Sequence, residues 1–324
     1  MKFVKPTYKI LEQQLGLESI YRQIELAGRT CYKSEDKITE DSAKRFVERI
    51  IASKHYSVLE HGTVYLMFNC PDRVTKYQDN PWSKVNRKVF QDDDTPNIYA
   101  TVRYYVTTNY RCIIENGWLD DLKYLCEPTE FHEKRITVKF TSNIHFYKDL
   151  TRHRKMSFSI ESTRYCNYSK DKFEKELTFI IPEQCNLKEG YYGMEYSSSV
   201  PCNGGNPTFS EGYLYTDHII KTNEEVKSLT PINDENTPFI RSLFEAEQSY
   251  LKLIEQGWQP QQAAEVLPQA TKADIVMTGF ISDWKHVFSL RTSVIAATGK
   301  PLPEISRLMD PLYKEFIERK YYKV

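Results

Sequence analysis

Arg152-His153-Arg154-Lys155-Met156-Ser157-Phe158-Ser159-Ile160-Glu161-Ser162-Thr163-Arg164-Tyr165 is the stretch on which the reading of this chain turns. Four adjacent bases are followed by hydroxyls, a further arginine and an aromatic ring. Guanidinium forks bind phosphate oxygens bidentately, so the run suits a phosphorylated, planar ligand. A solvated basic loop is the plain alternative, because short basic runs are common. Just upstream, Ile136, Val138 and Phe140 alternate as a strand. Ser142 or Asn143 then caps a helix over Ile144 to Thr151 that carries Phe146, Tyr147 and Leu150. The bases therefore follow a helix C-terminus, whose partial negative charge tolerates them before any ligand arrives.

Toward the N-terminus, Phe3 to Ile10 predicts a first strand. Leu17, Ile20, Tyr21 and Ile24 predict an amphipathic helix over Gly16 to Ala27, which Arg29-Thr30-Cys31-Tyr32-Lys33-Ser34 breaks. Thr39 predicts the start of a second helix with Phe46, Ile50 and Ile51 on its apolar face, running to about Ser53. Leu59-Glu60-His61-Gly62-Thr63 then turns into a strand with Val64, Leu66 and Phe68. A His-Gly-Thr turn can hold a ligand, and it can equally be only a turn. Pro71 to about Thr95, with Pro81-Trp82 and Asp92-Asp93-Asp94, reads as a loop or small excursion. Ile98 to Thr108 favours extended structure and Asn109 to Tyr124 a helix.

Toward the C-terminus, Leu177 to Ile181 is a short apolar run. Asn186 to Pro238, with Tyr191-Tyr192, Ser197-Ser198-Ser199 and Asn203-Gly204-Gly205-Asn206-Pro207, reads as an insertion with its own turns. Phe239, Leu243, Tyr250 and Ile254 trace one face of a helix ending at Gly257, and Pro260 opens a short helix. Asp274 to Phe280 predicts a strand, followed by a helix capped at Ser282 or Asp283 that runs to Arg291. A last helix begins at Pro301, with Ile305, Met309, Leu312 and Phe316 facing inward.

With 324 residues the chain can bury a substantial core, and a single large domain with insertions is the natural expectation. Lysine plus arginine equal aspartate plus glutamate at 44 each, so no global charge attracts nucleic acid or a membrane, and an anion site must be local. The zero balance also speaks against a basic RNA-binding module. Met1-Lys2-Phe3-Val4-Lys5-Pro6 has no leader-like apolar region, so a cytoplasmic protein is expected. Seven scattered cysteines without CxxC spacing argue against a disulfide framework or a zinc site.

Arg152-His153-Arg154, seven intervening residues and Ser162, continued by Thr163-Arg164-Tyr165, resemble the signature of the flavin-dependent thymidylate synthases, which methylate dUMP using a folate and reduced FAD. Arg29-Thr30-Cys31-Tyr32, Leu59-Glu60-His61-Gly62-Thr63, Ala263-Ala264-Glu265-Val266-Leu267-Pro268 and Asp283-Trp284-Lys285-His286-Val287-Phe288-Ser289-Leu290-Arg291 follow that family's order too. The resemblance covers most of the chain outside insertions at about residues 71–115 and 186–237. It implies an α/β (α+β) fold in which one catalytic domain, residues 1–324, holds a small mixed sheet flanked by helices. It also implies a homotetramer with sites between subunits, FAD as cofactor, and NADPH and methylenetetrahydrofolate as co-substrates.

Carried over residue by residue, the resemblance implies that Arg152, His153 and Arg154 hold FAD, that Thr63 and His286 line the flavin site, and that Phe280 to Ser282 approach it. His61 would sit beside the flavin, where the folate stacks. Asp149, Arg152, Glu161, Ser162, Thr163 and Arg164 would bind dUMP, and Arg291 would polarise its ring. No metal is implied. The chain departs from the family pattern at Ala264, where an arginine usually reaches the nucleotide phosphate, a contact worth about 1.5–3 kcal/mol. It departs again at Ile160 and Phe280, where polar residues are frequent, and Lys155 or Lys272 could compensate. Two alternatives follow: a relative that adds a hydroxymethyl rather than a methyl group to a pyrimidine nucleotide, or a nucleotide- or flavin-binding homologue without turnover. Retention of Arg291 and of Arg152 to Ser162 favours catalysis.

Overall fold

The structure, a computed structural model, describes residues 1–90, 100–195, 213–216, 230–231, 235–297 and 299–321. Asp92-Asp93-Asp94, Ser197-Ser198-Ser199, Cys202 and Asn203 to Pro207 lie outside the described residues. In chain order the elements begin with strands β1 (Lys2–Val4) and β2 (Thr7–Leu11), helices α1 (Gly16–Tyr32) and α2 (Ser42–Ala52), strand β3 (Thr63–Phe68) and a one-turn helix α3 (Thr75–Gln78). Next come β4 (Lys84–Phe90), β5 (Thr101–Asn109), α4 (Tyr110–Glu115), β6 (Arg135–Asn143), α5 (Ile144–Leu150), β7 (Ser157–Ile160), β8 (Thr178–Ile180), β9 (Gly190–Glu195), β10 (Tyr213–Thr216) and β11 (Thr230–Pro231). The chain continues with α6 (Thr237–Glu255), α7 (Pro260–Ala263), β12 (Lys272–Phe280), α8 (Ile281–Arg291) and α9 (Pro303–Glu318). Helix and strand are thus mixed as expected, and among the described residues the strands form three small sheets.

The chain divides into two compact units, one of residues 1–7, 141–148 and 162–273, the other of residues 8–140, 149–161 and 274–324. The first holds a five-stranded sheet in the order β11-β10-β9-β1-β8. Phe3, Phe179, Tyr192, Leu243 and Tyr250 meet in its core, where α6 lays down the apolar stripe read from the sequence. The second unit carries the four-stranded sheet β2-β6-β12-β7 and the three-stranded sheet β3-β5-β4. Its core joins Ile20 and Ile24 of α1 to Phe46 of α2 and to Val64, Leu66 and Phe68 of β3.

Several local readings change, each for a physical reason. Pro6 has no N–H to give a ladder, so the first expected strand is two, and β1 and β2 belong to different sheets. Helix α1 does not break at Arg29. Its Nε–H donates to Glu25 Oε1 at 2.7 Å one turn back, and the helix closes only where Lys33 takes a left-handed conformation (φ 48°). The helix expected over Asn109 to Tyr124 stops at Glu115, just before Gly117 at φ +68°. Segment 71–95, read as a loop, contains β4, which pairs antiparallel with β5 from Lys84↔Thr107 to Phe90↔Thr101.

β12 is buried along its length apart from Lys272, as a central strand should be, and β7 pairs with it from Ile275↔Ile160 to Thr278↔Ser157. This pairing brings the chain after the basic loop against the strand that leads into α8. Gly279 lets them approach, because a Cβ there would overlap the Met156 thioether. Asn143 caps α5 as expected, its Oδ1 accepting the Phe146 N–H at 2.8 Å. Phe280, not Ser282 or Asp283, is the residue before α8, so both polar groups lie inside the first turn.

Candidate functional site

In the second unit the loop after α5 faces the first turns of α8 across a cavity of about 620 Å³. Arg152, His153, Arg154, Lys155 and Met156 form one wall, Ser282, Asp283 and His286 the other, and Lys84 at the start of β4 completes the lining. The charges of Lys84, Arg152, Arg154 and Lys155 face a single acid, Asp283, so the cavity favours an anion. Burial pushes the Asp283 carboxyl up, and Lys84 and Lys155 pull it back.

Behind the first wall, Arg291 at the end of α8 is tied to the basic loop. Its Nε–H donates to His153 Nε2 at 3.1 Å and its Nη2 to the Asp149 carbonyl at 3.0 Å. The Asp149 carboxylate lies 3.8 Å from Nη1 and 3.9 Å from the Arg152 guanidinium. Burial, then the charges of Arg291 and His286, push His153 down to about 4. His153 is therefore neutral at pH 7 and free to accept from Arg291. Its ring meets that of His286 edge-on at 5.9 Å.

Phe280 is buried behind the second wall, with the Lys84 ammonium 5.7 Å and the Arg135 guanidinium 5.6 Å from its ring. Arg135 donates to the Glu60 carbonyl at 2.9 Å and reaches Thr63 Oγ1 and Ser157 Oγ at 3.4 Å, while its Nε has no partner among the described residues. Burial holds this guanidinium below its usual range. His61 is fully buried, its Nδ1 2.8 Å from Thr278 Oγ1, which in turn meets Thr137 Oγ1 at 2.8 Å. Its Nε2 has no hydrogen-bond partner among the described residues. Burial and the Arg135 charge push this imidazole down to about 3.

Of the residues singled out in the sequence, the cavity gathers Arg152, His153, Arg154, Ser282 and His286, with Arg291 and Asp149 directly behind. His61, Thr63 and Phe280 are buried in the same unit and do not line it. The Glu161 carboxylate accepts the Asp274 N–H at 3.0 Å and lies 3.5 Å from Lys33, so it is held inside the protein. Ser162, Thr163, Arg164 and Ala264 belong to the first unit. There the Ser162 carbonyl accepts the N–H groups of Tyr165 and Cys166, and the exposed Arg164 lies 6.0 Å from the Tyr165 ring. Lys84, Met156, Asp283 and Arg135 were not picked out for the site. Val85 and Val89 stand four apart with polar Arg87 between them, so no alternation in the sequence marks β4 or Lys84.

No described cysteine lines the cavity, and burial pushes Cys31, Cys112 and Cys126 up, Cys126 to about 11. Among the described residues no group of histidines, cysteines and acids could hold a metal ion. No helix among them is long and apolar enough to cross a membrane.

No curated protein matches this sequence. Among solved structures the chain is similar to the UMP/dUMP methylase PolB from Streptomyces cacaoi bound with 5-Br UMP, at 15% identity and a TM-score of 0.40 over 98% of this chain and 92% of that one. It is similar to the same enzyme bound with 5-Br dUMP at 14% identity and a TM-score of 0.40, over 98% and 93%. The profile of the family described as thymidylate synthase complementing protein matches residues 18–77 and 115–319, so it spans the basic loop, α8 and Arg291 and passes over β4. By that match over most of its length, the chain belongs to the thymidylate synthase complementing protein family.

Proposed function

We propose that the chain is a flavin-dependent thymidylate synthase that converts dUMP to dTMP, with methylenetetrahydrofolate as carbon donor and NADPH-reduced FAD as hydride source. Family membership supports the coarser statement, a pyrimidine-nucleotide methyltransferase. The observation that carries the finer one is the meeting at one cavity of the Arg152–Lys155 loop with α8, whose last residue is locked to that loop through His153.

The residues present fit an anionic cofactor, because the cavity wall offers four cations to one carboxylate. Arg152, His153, Arg154, Ser282 and His286 would hold FAD, which when bound supplies hydride transfer. Arg291 acts on the nucleotide. Uracil accepts a carbon at C5 only when its ring is polarised or ionised, and a fixed guanidinium beside N3 and O4 favours that anion by Coulomb attraction. Neutral His153 and the Asp149 carbonyl hold the guanidinium still, so little reorganisation is needed as charge develops. With every described cysteine away from the cavity, ring activation by charge fits the site better than attack by a thiolate. In this reading Asp149 and Arg152 bind dUMP beside Arg291, and four copies of the chain assemble around the sites.

The test is direct. The purified protein should be yellow, should bleach anaerobically with NADPH faster when dUMP is present, and should form dTMP from methylenetetrahydrofolate. A product heavier by one oxygen would mean hydroxymethylation instead. Flavin binding without product would mean a homologue without turnover.

A further inference from the structure

The family profile stops at residue 77 and resumes at residue 115, and Lys84 lies in the stretch between. That stretch is not a detached excursion. The Ser83 hydroxyl, buried, donates to Thr108 Oγ1 at 2.8 Å, and Asn80 Oδ1 accepts the Trp82 N–H at 2.9 Å. Lys84 then pairs with the buried Thr107 of β5, which fixes its backbone on that side of the edge strand.

Two cations upstream of β4 are engaged by an acid, and two others of this sheet lie over rings outside the cavity. Lys76 and Arg73 reach Asp121 at 2.5 and 3.9 Å, Lys88 lies over Phe131 and Arg103 over Phe90. Lys84 differs. Its side chain lines the cavity, its ammonium lies 5.7 Å from the Phe280 ring, and among the described residues no carboxylate comes within ion-pair distance of it. A ring face attracts a cation without consuming its N–H donors, so the ammonium keeps them for an acceptor in the cavity. The other cations of the wall, Arg152, Arg154 and Lys155, surround the same space.

We propose that Lys84 is a phosphate-binding residue of this cavity, and that the segment unmatched by the family profile serves to deliver it to the diphosphate of the cofactor. The identity of the ligand rests on the flavin reading above; the contact between Lys84 and a phosphate does not. A compact ammonium on a flexible stem can meet a phosphate oxygen as a point charge, and a guanidinium of the same charge can replace it there.

The full-length protein is titrated with FAD and with riboflavin, followed by flavin fluorescence, and with inorganic pyrophosphate, followed by calorimetry. Lys84→Met should weaken FAD and pyrophosphate roughly tenfold or more, the scale of one charge-assisted hydrogen bond, and leave riboflavin unchanged. Lys84→Arg should retain most of the binding. Lys88→Met, on the same strand and outside the cavity, should behave as wild type. Wild-type affinity in Lys84→Met overturns the proposal, as does an equal loss in Lys88→Met or an equal loss for riboflavin. If wild type binds pyrophosphate in a Lys84-dependent way and does not bind FAD, the phosphate contact stands and the flavin reading falls. If wild type binds neither, both fall.

Discussion

Replacing Arg291 with lysine keeps the charge at the end of α8 and removes the geometry. The native guanidinium donates from Nε to His153 at 3.1 Å and from Nη2 to the Asp149 carbonyl at 3.0 Å, and these two directions fix its plane. A lysine ammonium is a single point and cannot satisfy both acceptors while also presenting charge to the nucleotide. Each bond to a charged donor is worth about 1.5–3 kcal/mol, and a misplacement of about 1 Å costs roughly a hundredfold in rate. Arg291→Lys is therefore expected to lower kcat for dTMP formation about a hundredfold. Arg291→Gln, which also removes the charge, should lower it by a further factor of about ten, near the upper range for loss of one electrostatic stabiliser. His153→Ala leaves the charge and loosens its mount, so it should cost less than Arg291→Lys in kcat and change KM for dUMP little. The assay is single-turnover oxidation of the reduced protein with dUMP and methylenetetrahydrofolate, with dTMP measured by chromatography and a thermal melt as the control for folding. An Arg291→Lys protein that forms dTMP within threefold of wild type would refute the reasoning.

Three further outcomes are expected. Burial pushes His61 to about 3, His153 to about 4 and His132 down as well, so the folded state resists protons that the unfolded chain takes up near pH 6.5. The stability they contribute is fully present above pH 6.5 and is lost as pH falls toward 4 and 3; a urea midpoint that stays flat from pH 7 to 5 would contradict this. Gly279→Ala should destabilise by about 1–3 kcal/mol, because the added methyl overlaps Met156, and Met156→Ala in the same chain should recover part of the loss. Thermal melts of the single and double variants decide it, and additive losses would be the wrong result. Lys33→Met should cost about 3 kcal/mol in urea titration, because Lys33 bridges the buried carboxylates of Glu161 and Asp274, a pair Lys139 supports only at 3.4 Å on the Asp274 side. A loss below about 0.5 kcal/mol, the scale of an exposed pair, would mean that the bridge is not a buried one.

Much of the local architecture could be read directly because its causes are local. The alternation of Val64, Leu66 and Phe68 predicted β3, the stripe of Phe239, Leu243, Tyr250 and Ile254 predicted α6, and Asn143 predicted the start of α5. The order Arg152-His153-Arg154 to Ser162, with Arg291 far downstream, was enough to point to the family that the profile match shows. Other features have no local cause. Pro6 separates two strands, but nothing near it says that β1 and β2 join different sheets. Lys84 sits in a segment of weak periodicity, and only the pairing of β4 with β5 turns it toward the cavity. His153 and Arg291 are 138 residues apart, and their bond depends on the register of β7 on β12, which sets where the loop and α8 meet. Glu161 and His61 stand in motif positions that suggest ligand contacts, yet burial engages one with Asp274 and the other with Thr278. Periodicity and capping act between neighbours a turn or a pleat apart, so the sequence alone determined the strongly patterned elements and the family. Which side chains converge, and which are buried instead, is set by strand register and long-range packing, and only the tertiary structure decided it.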